Sequence, residues 1–304
     1  MDNRNEVRQF LISRRAKLTP EQAGLPAGGA HRRVAGLRRA EVAMLADVSV
    51  EYYSKLERGN ISGASEAVLH SIAGALQLDD AERAHLFDLA RASSAPSTKP
   101  RRRTSNSAAI RPGLQRALDA VTAGPAFVRN GRMDILAVNP LGKAFWADVF
   151  AAPGLGNLAR FTFLDPERAR IFHPDWEAAA DVAVASMRTE AGRDPHNKDL
   201  QDLIGELSTR SDAFRTRWGA HNVRRHGTGE KTFHHAVVGD LTLTYEGLEL
   251  TTEADLSFLI YTAEPGSPSE ERLRLLASWA ASHEQETGTT ATEMGLSETD
   301  RSTP

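Results

Sequence analysis

Along the first part of the chain, apolar positions recur every three or four residues, the spacing of amphipathic helices. Val7, Phe10, Leu11 and Leu18 mark a first helix, ended by Thr19-Pro20. Leu37, Val42, Ala43 and Leu45 mark a second. Asp47-Val48-Ser49 interrupts it, and a third helix runs from Val50 to Arg58, turning Tyr53 and Leu56 inward until Gly59 stops it. Glu66 to Leu76 and Asp80 to Ala90 complete five helices. Beyond residue 110 the pattern is mixed. Ala126-Phe127-Val128 and Met133 to Val138 flank Asn130-Gly131, a two-residue hairpin signal. Helical spacing returns over Leu141–Phe150, Asp175–Ala191, Lys198–Thr209 and Ala213–His221. Three strand-like runs, Lys231–Val238, Leu241–Leu250 and Leu256–Thr262, precede a last helix over Ser269–Ala281. The expected architecture is an all-α domain followed by an α+β domain whose sheet has one face free to wrap a cavity.

Between the two patterns lies SSAPSTKPRRRTSNSAAIRP, residues 93–112, which has no apolar period and reads as a linker. Its basic core is either a solvated hinge or a flexible arm that touches phosphate. From about Gln285 the chain is polar, acidic and unpatterned, and is expected to be disordered. This gives domains at 1–92 and 110–283, a basic linker at 93–109 and a tail at 284–304. The 304 residues are 40% hydrophobic, enough to bury a core in each domain.

Composition removes several function classes. There is no cysteine, so disulfides, thiolate catalysis and cysteine zinc sites are excluded. No run of about 18 apolar residues occurs and the first residues lack a signal-peptide core, so a cytoplasmic location without membrane association is expected. Charge is uneven. Residues 1–104 carry 17 Lys and Arg against 12 Asp and Glu, while the remainder carries 20 against 28. A basic front end on an acidic remainder suits an anionic partner, of which nucleic acid is the usual one.

The segment Gly36-LRRAEVAMLADVSVEYYSKLERG places two short helices around a three-residue turn, so that the second projects its start into solvent. This is the helix-turn-helix geometry, in which one helix enters the major groove while the other crosses the phosphate backbone. The residue types, EVAxLA, then VS, then a helix ending in LERG, resemble the bacterial Xre/Cro-like repressors. The longer pattern FLxxRRxxLxPxxxGLP followed by RRVxGLRRxEVAxLAxVSxxYYxxLERG resembles regulators with an Xre-type head and an MmyB-like ligand-binding domain. The resemblance continues through RPGLQRxLDA, PAFVxNxRxDxLAxNPL, NLARFxFLDP, DWExAA, GELSxRSxxFRxxW and KxFHHxVVGxLTLxYEGLEL to YTAEPGSPSEERLRLLAS, covering residues 7 to about 280. It implies a lambda repressor-like head, a PAS-like fold for the second domain, and a small lipophilic ligand such as a fatty acid. Three residues depart from the pattern. Asp47 stands where relatives have glycine, a position that needs φ > 0. Ala40 replaces an acidic residue, and Ala236 replaces the proline that follows histidine.

Residue roles follow from these placements. Ser49 is the expected N-cap of the reading helix. Val50, on a thymine methyl, Glu51, on a cytosine amino group, and Lys55, on guanine, are the expected base contacts. Arg38 and Arg39 before the turn, and Arg58 and Asn60 beyond the reading helix, are expected on phosphate, with Arg32 and Arg33 as further candidates. Tyr53 is expected in the core; Tyr52 either meets the backbone or packs. A single small head buries little surface, so a homodimer on an inverted-repeat, double-stranded DNA operator is expected.

In the second domain, Phe127, Leu136, Val138, Phe145, Trp146, Phe161, Phe163, Trp176, Met187, Phe214 and Trp218 are candidate pocket walls. Asn139, Asn157, Arg160, Arg210 and His235 are candidate head-group partners, with Arg160 preferred for a carboxylate. Gly154-Leu-Gly156-Asn-Leu-Ala159 matches a dinucleotide fingerprint in letters only, because no buried strand precedes it. His234 and His235 are adjacent on a strand and so face opposite ways, and no metal spacing is present. No cofactor, metal or catalysis is expected. The reading is a DNA-binding regulator that responds to a small lipophilic ligand; the alternative is one whose second domain is a protein-interaction and dimerisation module without ligand.

Overall fold

The computed structural model describes residues 3–26, 34, 36–94, 110–151, 156–223, 227–253 and 255–282. The expected linker core, the tail, and Arg32 and Arg33 lie outside the described residues. Two compact units are present, and the chain passes from one to the other more than once. One holds α1 (Asn3–Lys17), α2 (Arg39–Leu45), α3 (Val50–Glu57), α4 (Glu66–Ala75) and α5 (Asp80–Ser94), joined by α11 (Trp176–Arg193) from Glu177 onward, α12 (Lys198–Arg210) and α13 (Asp212–Gly219).

In this unit Val7, Phe10 and Leu11 of α1, Val42 and Ala43 of α2, Tyr53 and Leu56 of α3, Leu69 and Ile72 of α4, and Leu86 and Leu89 of α5 form one core. Burying each large apolar side chain contributes about 1.5–3 kcal/mol, so the shared core outweighs the weak propensity of such short helices. Val223, which follows α13, belongs to the same cluster.

An ionic cluster adds to that join. Arg188 of α11 has no exposed surface. Its guanidinium donates to Glu6 of α1 and to the Trp218 carbonyl of α13, and lies 4.0 Å from the centre of the Trp218 ring. His221 Nδ1 lies 2.9 Å from Arg188 Nη1 and 3.3 Å from Glu6 Oε1. Burial works to raise the pKa of Glu6, but the hydrogen bond from His221 and the charge of Arg188 outweigh it and bring it down to about 2. Arg14 donates to Glu82 and to the His221 carbonyl. Gly192 of α11 lies so close to the His85 ring of α5 that a Cβ there would sit 2.6 Å from it. His85 is itself buried, and burial pulls its pKa down to about 3.

The other unit holds α6 (Pro112–Asp119), α7 (Pro140–Phe145), α8 (Ala147–Phe150), α9 (Leu158–Leu164), α10 (Pro166–Phe172), a helix over 268–282 (α14), and the sheet. Its strands, β1 (Ala126–Asn130), β2 (Ile135–Val138), β3 (Thr228–His235), β4 (Gly239–Glu249) and β5 (Leu256–Thr262), lie in the order β2-β1-β5-β4-β3, all pairs antiparallel. The turn after β1 is longer than the two-residue hairpin that Asn130-Gly131 suggests. Met133 takes φ 69°, and the Asn130 side chain accepts from Arg132 N and Asp134 N at 2.9 and 3.1 Å. Asp134 then bridges to Asn157, so β2 starts at Ile135.

Alternation along the strands sorts the side chains by face. Ala126, Val128 and Phe258 pack with Leu114 and Leu118 of α6. Phe127, Phe233 and Tyr261 point to the opposite, inner face, where Phe145 of α7, Trp146 just after it and Phe172 of α10 meet them.

Candidate functional site

Two short helices and the corner between them build the first candidate site. Glu41 accepts from the Arg38 backbone N–H at 2.6 Å and starts α2. The corner follows Ala46: Asp47 takes φ 53°, the left-handed geometry that makes glycine common there, and Val48 N donates to Ala43 O at 3.0 Å. Ser49 then caps α3, its hydroxyl accepting from Tyr52 N at 3.1 Å. Gly59 (φ 91°) ends the helix, and Asn60 N reaches back to Lys55 O at 3.2 Å.

This scaffold leaves Val50, Glu51 and Lys55 exposed on α3, with Arg38, Arg39 and Arg58 exposed around it and Asn60 half-buried. Tyr53 is fully buried, and Tyr52 is half-buried against the same core. Arg39 is less free than its sequence position suggests. Its guanidinium donates to Glu57, a buried carboxylate that Arg15 also contacts. That hydrogen bond and charge raise the Arg39 pKa. Glu57 therefore fixes where Arg39 stands beside α3, a tie that the sequence pattern gives no sign of.

The second candidate site is the inner face of the sheet, where Phe127, Phe145, Trp146 and His235 come together. The Phe127 and Trp146 ring centres are 4.6 Å apart, Phe145 and Trp146 4.8 Å, and Phe145 and His235 5.7 Å. His235 Nδ1 accepts from Val237 N at 3.2 Å and Nε2 faces the Ala144 carbonyl at 3.3 Å, an arrangement that suits the neutral ring; burial lowers its pKa. His234 points the other way, 2.6 Å from Asp240, as adjacent strand residues must. Phe163 and Trp176 pack on each other at 6.1 Å, with the Trp176 indole donating to Thr162 O at 3.1 Å.

Other candidates stand elsewhere. Phe214 and Trp218, stacked at 5.6 Å, and Met187 belong to the unit of α1–α5 and not to that of the sheet. Asn139 is wholly buried as the N-cap of α7. Its oxygen accepts from Ala126 N and Gly142 N, and its amide donates to the carbonyls of Val121 and Gly124. Asn157 caps α9 in the same manner. Arg160 is exposed, as is Arg210, which pairs with Glu206 at 2.9 Å.

The inner face also carries polar groups that the sequence did not single out. Lys231 Nζ lies 4.7 Å from the centre of the Tyr245 ring. Burial first, and the charge of Arg129 second, bring the Lys231 pKa down to about 8. His173 packs against Phe172 and Phe233, and its pKa falls to about 3 through burial and the charge of Lys231. The strand alternation that places Lys231 two residues before Phe233 was the signal available for finding it.

Among the described residues no group of His, Asp or Glu is arranged to hold a metal, and no helix is long and apolar enough to cross a membrane. The sequence pattern of a helix-turn-helix domain matches residues 29–86. That of the MmyB-like transcription regulator ligand binding domain matches residues 110–276, more than half of the chain. No curated protein matches. The helix-turn-helix match covers α2 and α3, whereas the ligand-domain match takes in α11–α13 as well as the sheet.

Proposed function

The chain belongs to the family of the MmyB-like transcription regulator ligand binding domain, and we propose that it regulates transcription by binding specific DNA sequences through its helix-turn-helix. The head is lambda repressor-like and of Xre type, the second domain is PAS-like, and the ligand is small, lipophilic and fatty-acid-like. The chain acts as a cytoplasmic bacterial homodimer on an inverted repeat and catalyses no reaction. Its functional domains are 1–92 and 110–283, joined by the basic segment 93–109. The observation that carries the DNA reading is the exposed first turn of α3, capped by Ser49 and bordered by Arg38, Arg39 and Arg58. Base edges meet Val50, Glu51 and Lys55, and phosphates meet the arginines and Asn60. The ring-lined inner face, with Lys231 and Arg129 on it, supports a ligand with an apolar body and a negatively charged end. Ligand changes DNA affinity to the extent that it binds two arrangements of the heads differently.

Selection of bound genomic fragments, with and without added lipid, tests this reading. Lys55→Ala should lower operator affinity and shift the selected sequence, whereas Arg39→Ala should weaken all duplexes alike and flatten the salt dependence. Equal footprints for the wild type and both variants would defeat the assignment. A second reading rests on how closely the inner rings pack: the domain then joins protein partners and takes no ligand. Native mass spectrometry separates the two, since a copurifying lipid favours the first, and no lipid with no thermal shift on adding fatty acid favours the second.

A further inference from the structure

A cleft of about 640 Å³ opens beside the reading helix, lined by Lys55, Gly59 and Asn60 from the end of α3 and the residues after it, Arg4 from α1, Ser93 from α5, and His196 from the turn between α11 and α12. The last of these belongs to the stretch that matches the ligand-binding domain. Two full positive charges and an imidazole line the cleft, and among the described residues no Asp or Glu does. Such a lining suits an anion.

The walls are held in place. Gly59 lets the α1 backbone come so close that a Cβ on it would lie 2.2 Å from the Arg4 carbonyl oxygen, and the Arg4 guanidinium donates to Asn60. Asn3 Nδ2 donates to Ser93 Oγ at 2.7 Å and to the Leu89 carbonyl at 3.1 Å, fixing α1 to α5. On the other side, Arg193 faces Asp88 at 3.6 Å, and Gly192 lies against His85. The α11–α12 turn is closed by Asp194, whose carboxylate accepts from His196 N at 3.2 Å, and by Asn197, which caps α12. The His196 side chain is left exposed at the cleft.

We propose that this cleft takes a stretch of DNA sugar-phosphate backbone, with Arg4 and His196 as phosphate contacts, so that the ligand-binding part of the chain itself touches DNA next to the reading helix. The proposal rests on the DNA-binding reading above and extends it. A groove lined by cations and hydrogen-bond donors suits the regular row of phosphates that flanks a major-groove contact, and such contacts position a protein without reading sequence. It also supplies a physical link between the two functions. Any ligand that shifts the α11–α12 turn changes a DNA contact, and by reciprocity DNA changes the affinity for that ligand by the same factor.

The test measures binding of the full chain to a mixed-sequence duplex by fluorescence anisotropy over a salt series. His196→Lys should raise affinity several-fold and steepen the slope of log affinity against log salt by about 1, and His196→Glu should lower affinity several-fold. Arg4→Gln should weaken binding and flatten the slope by a similar amount. Arg4 also holds Asn60, so its melting temperature is followed alongside; the exposed His196 carries the decision. If the wild type binds the duplex, Arg39→Ala weakens it, and both His196 variants match the wild type in affinity and slope, this proposal is overturned while the DNA reading stands. If the wild type binds no duplex at low salt, the DNA reading falls first. Equilibrium dialysis with adenosine monophosphate and with inorganic phosphate separates the remaining source of the same chemistry. Saturable binding of either that His196→Glu abolishes, with duplex binding unchanged by the His196 variants, would give the cleft to a small phosphorylated effector and overturn the backbone assignment.

Discussion

Along α3, the side chains expected to meet a partner, Val50, Glu51 and Lys55, stand in solvent while Tyr53 and Leu56 hold the helix from below. Along β1, β3 and β5 the corresponding candidates, Phe127, His235 and their neighbours Phe233 and Tyr261, are packed on Phe145 of α7, Trp146 just after it and Phe172 of α10. The same kind of alternation made both sites, yet it separates scaffold from contact only in the first. A helix at the surface has one face for folding and one for binding. A sheet face covered by helices uses the same side chains for both, so residue type alone does not divide core from pocket.

Stability measurements should bring out the contrast. Phe145→Ala removes a ring that contacts Trp146, Phe172 and Phe233, and should cost about 3–5 kcal/mol in urea unfolding. A loss below about 1 kcal/mol would mean the inner face is loosely filled. Arg188→Met should be as severe, about 3–5 kcal/mol, because it leaves the Glu6 carboxylate buried beside a neutral side chain. A neutral result would show that the ionic cluster adds nothing to the apolar core around Val223.

Acid should act through the buried titratable groups. His85 and His173 have folded pKa values near 3, well below their unfolded value of 6.5, so the unfolded chain binds more protons between those limits. Stability should therefore fall as pH drops from about 6.5 towards 3, by up to about 1.4 kcal/mol per pH unit for each group. Glu6, with a pKa lowered to about 2, adds a further loss below its unfolded value of 4.5. His85→Phe removes one of these groups and two ring nitrogens that have no hydrogen-bond partner among the described residues. It should flatten the acid limb of a melting-temperature profile; an unchanged limb would move the effect to His173.

The smallest stability effect, and the most informative for function, is expected at the reading helix. Val50→Ala and Glu51→Ala should leave stability within about 0.5 kcal/mol of the wild type, as exposed substitutions do. Each should nevertheless change discrimination between base pairs by about 1–3 kcal/mol in competition binding. Stability losses above that range would mean the turn is packed and not presented.

Much of this was legible in the sequence. Ser49 caps α3 as its place before the reading helix indicates, because a cap needs only short-range spacing. Asn139 and Asn157, expected at a ligand head group, instead cap α7 and α9. Asp47 keeps its positive φ without glycine. What the pattern missed depends on distant partners. Glu6 and Arg188 lie 182 positions apart, and nothing local to either marks the other. The hairpin after β1 differs for a related reason: Asp134 answers to Asn157, 23 residues on, as well as to Asn130 of the Asn-Gly pair beside it. Lys231 is not marked by its sequence position because a charged residue on a strand is ordinarily solvated, and only the cover from other elements half-buries it and lowers its pKa.

The Glu6–Arg188–His221 cluster bears on how the molecule can be taken apart. A fragment ending with α5 would keep the whole helix-turn-helix and lose the guanidinium and imidazole that face Glu6, together with Val223. Transplanting this head onto a foreign sensor, a routine step in building synthetic regulators, would need α11–α13 to travel with it. What looks in the gene like an exchangeable front end is, in three dimensions, completed by residues encoded far downstream.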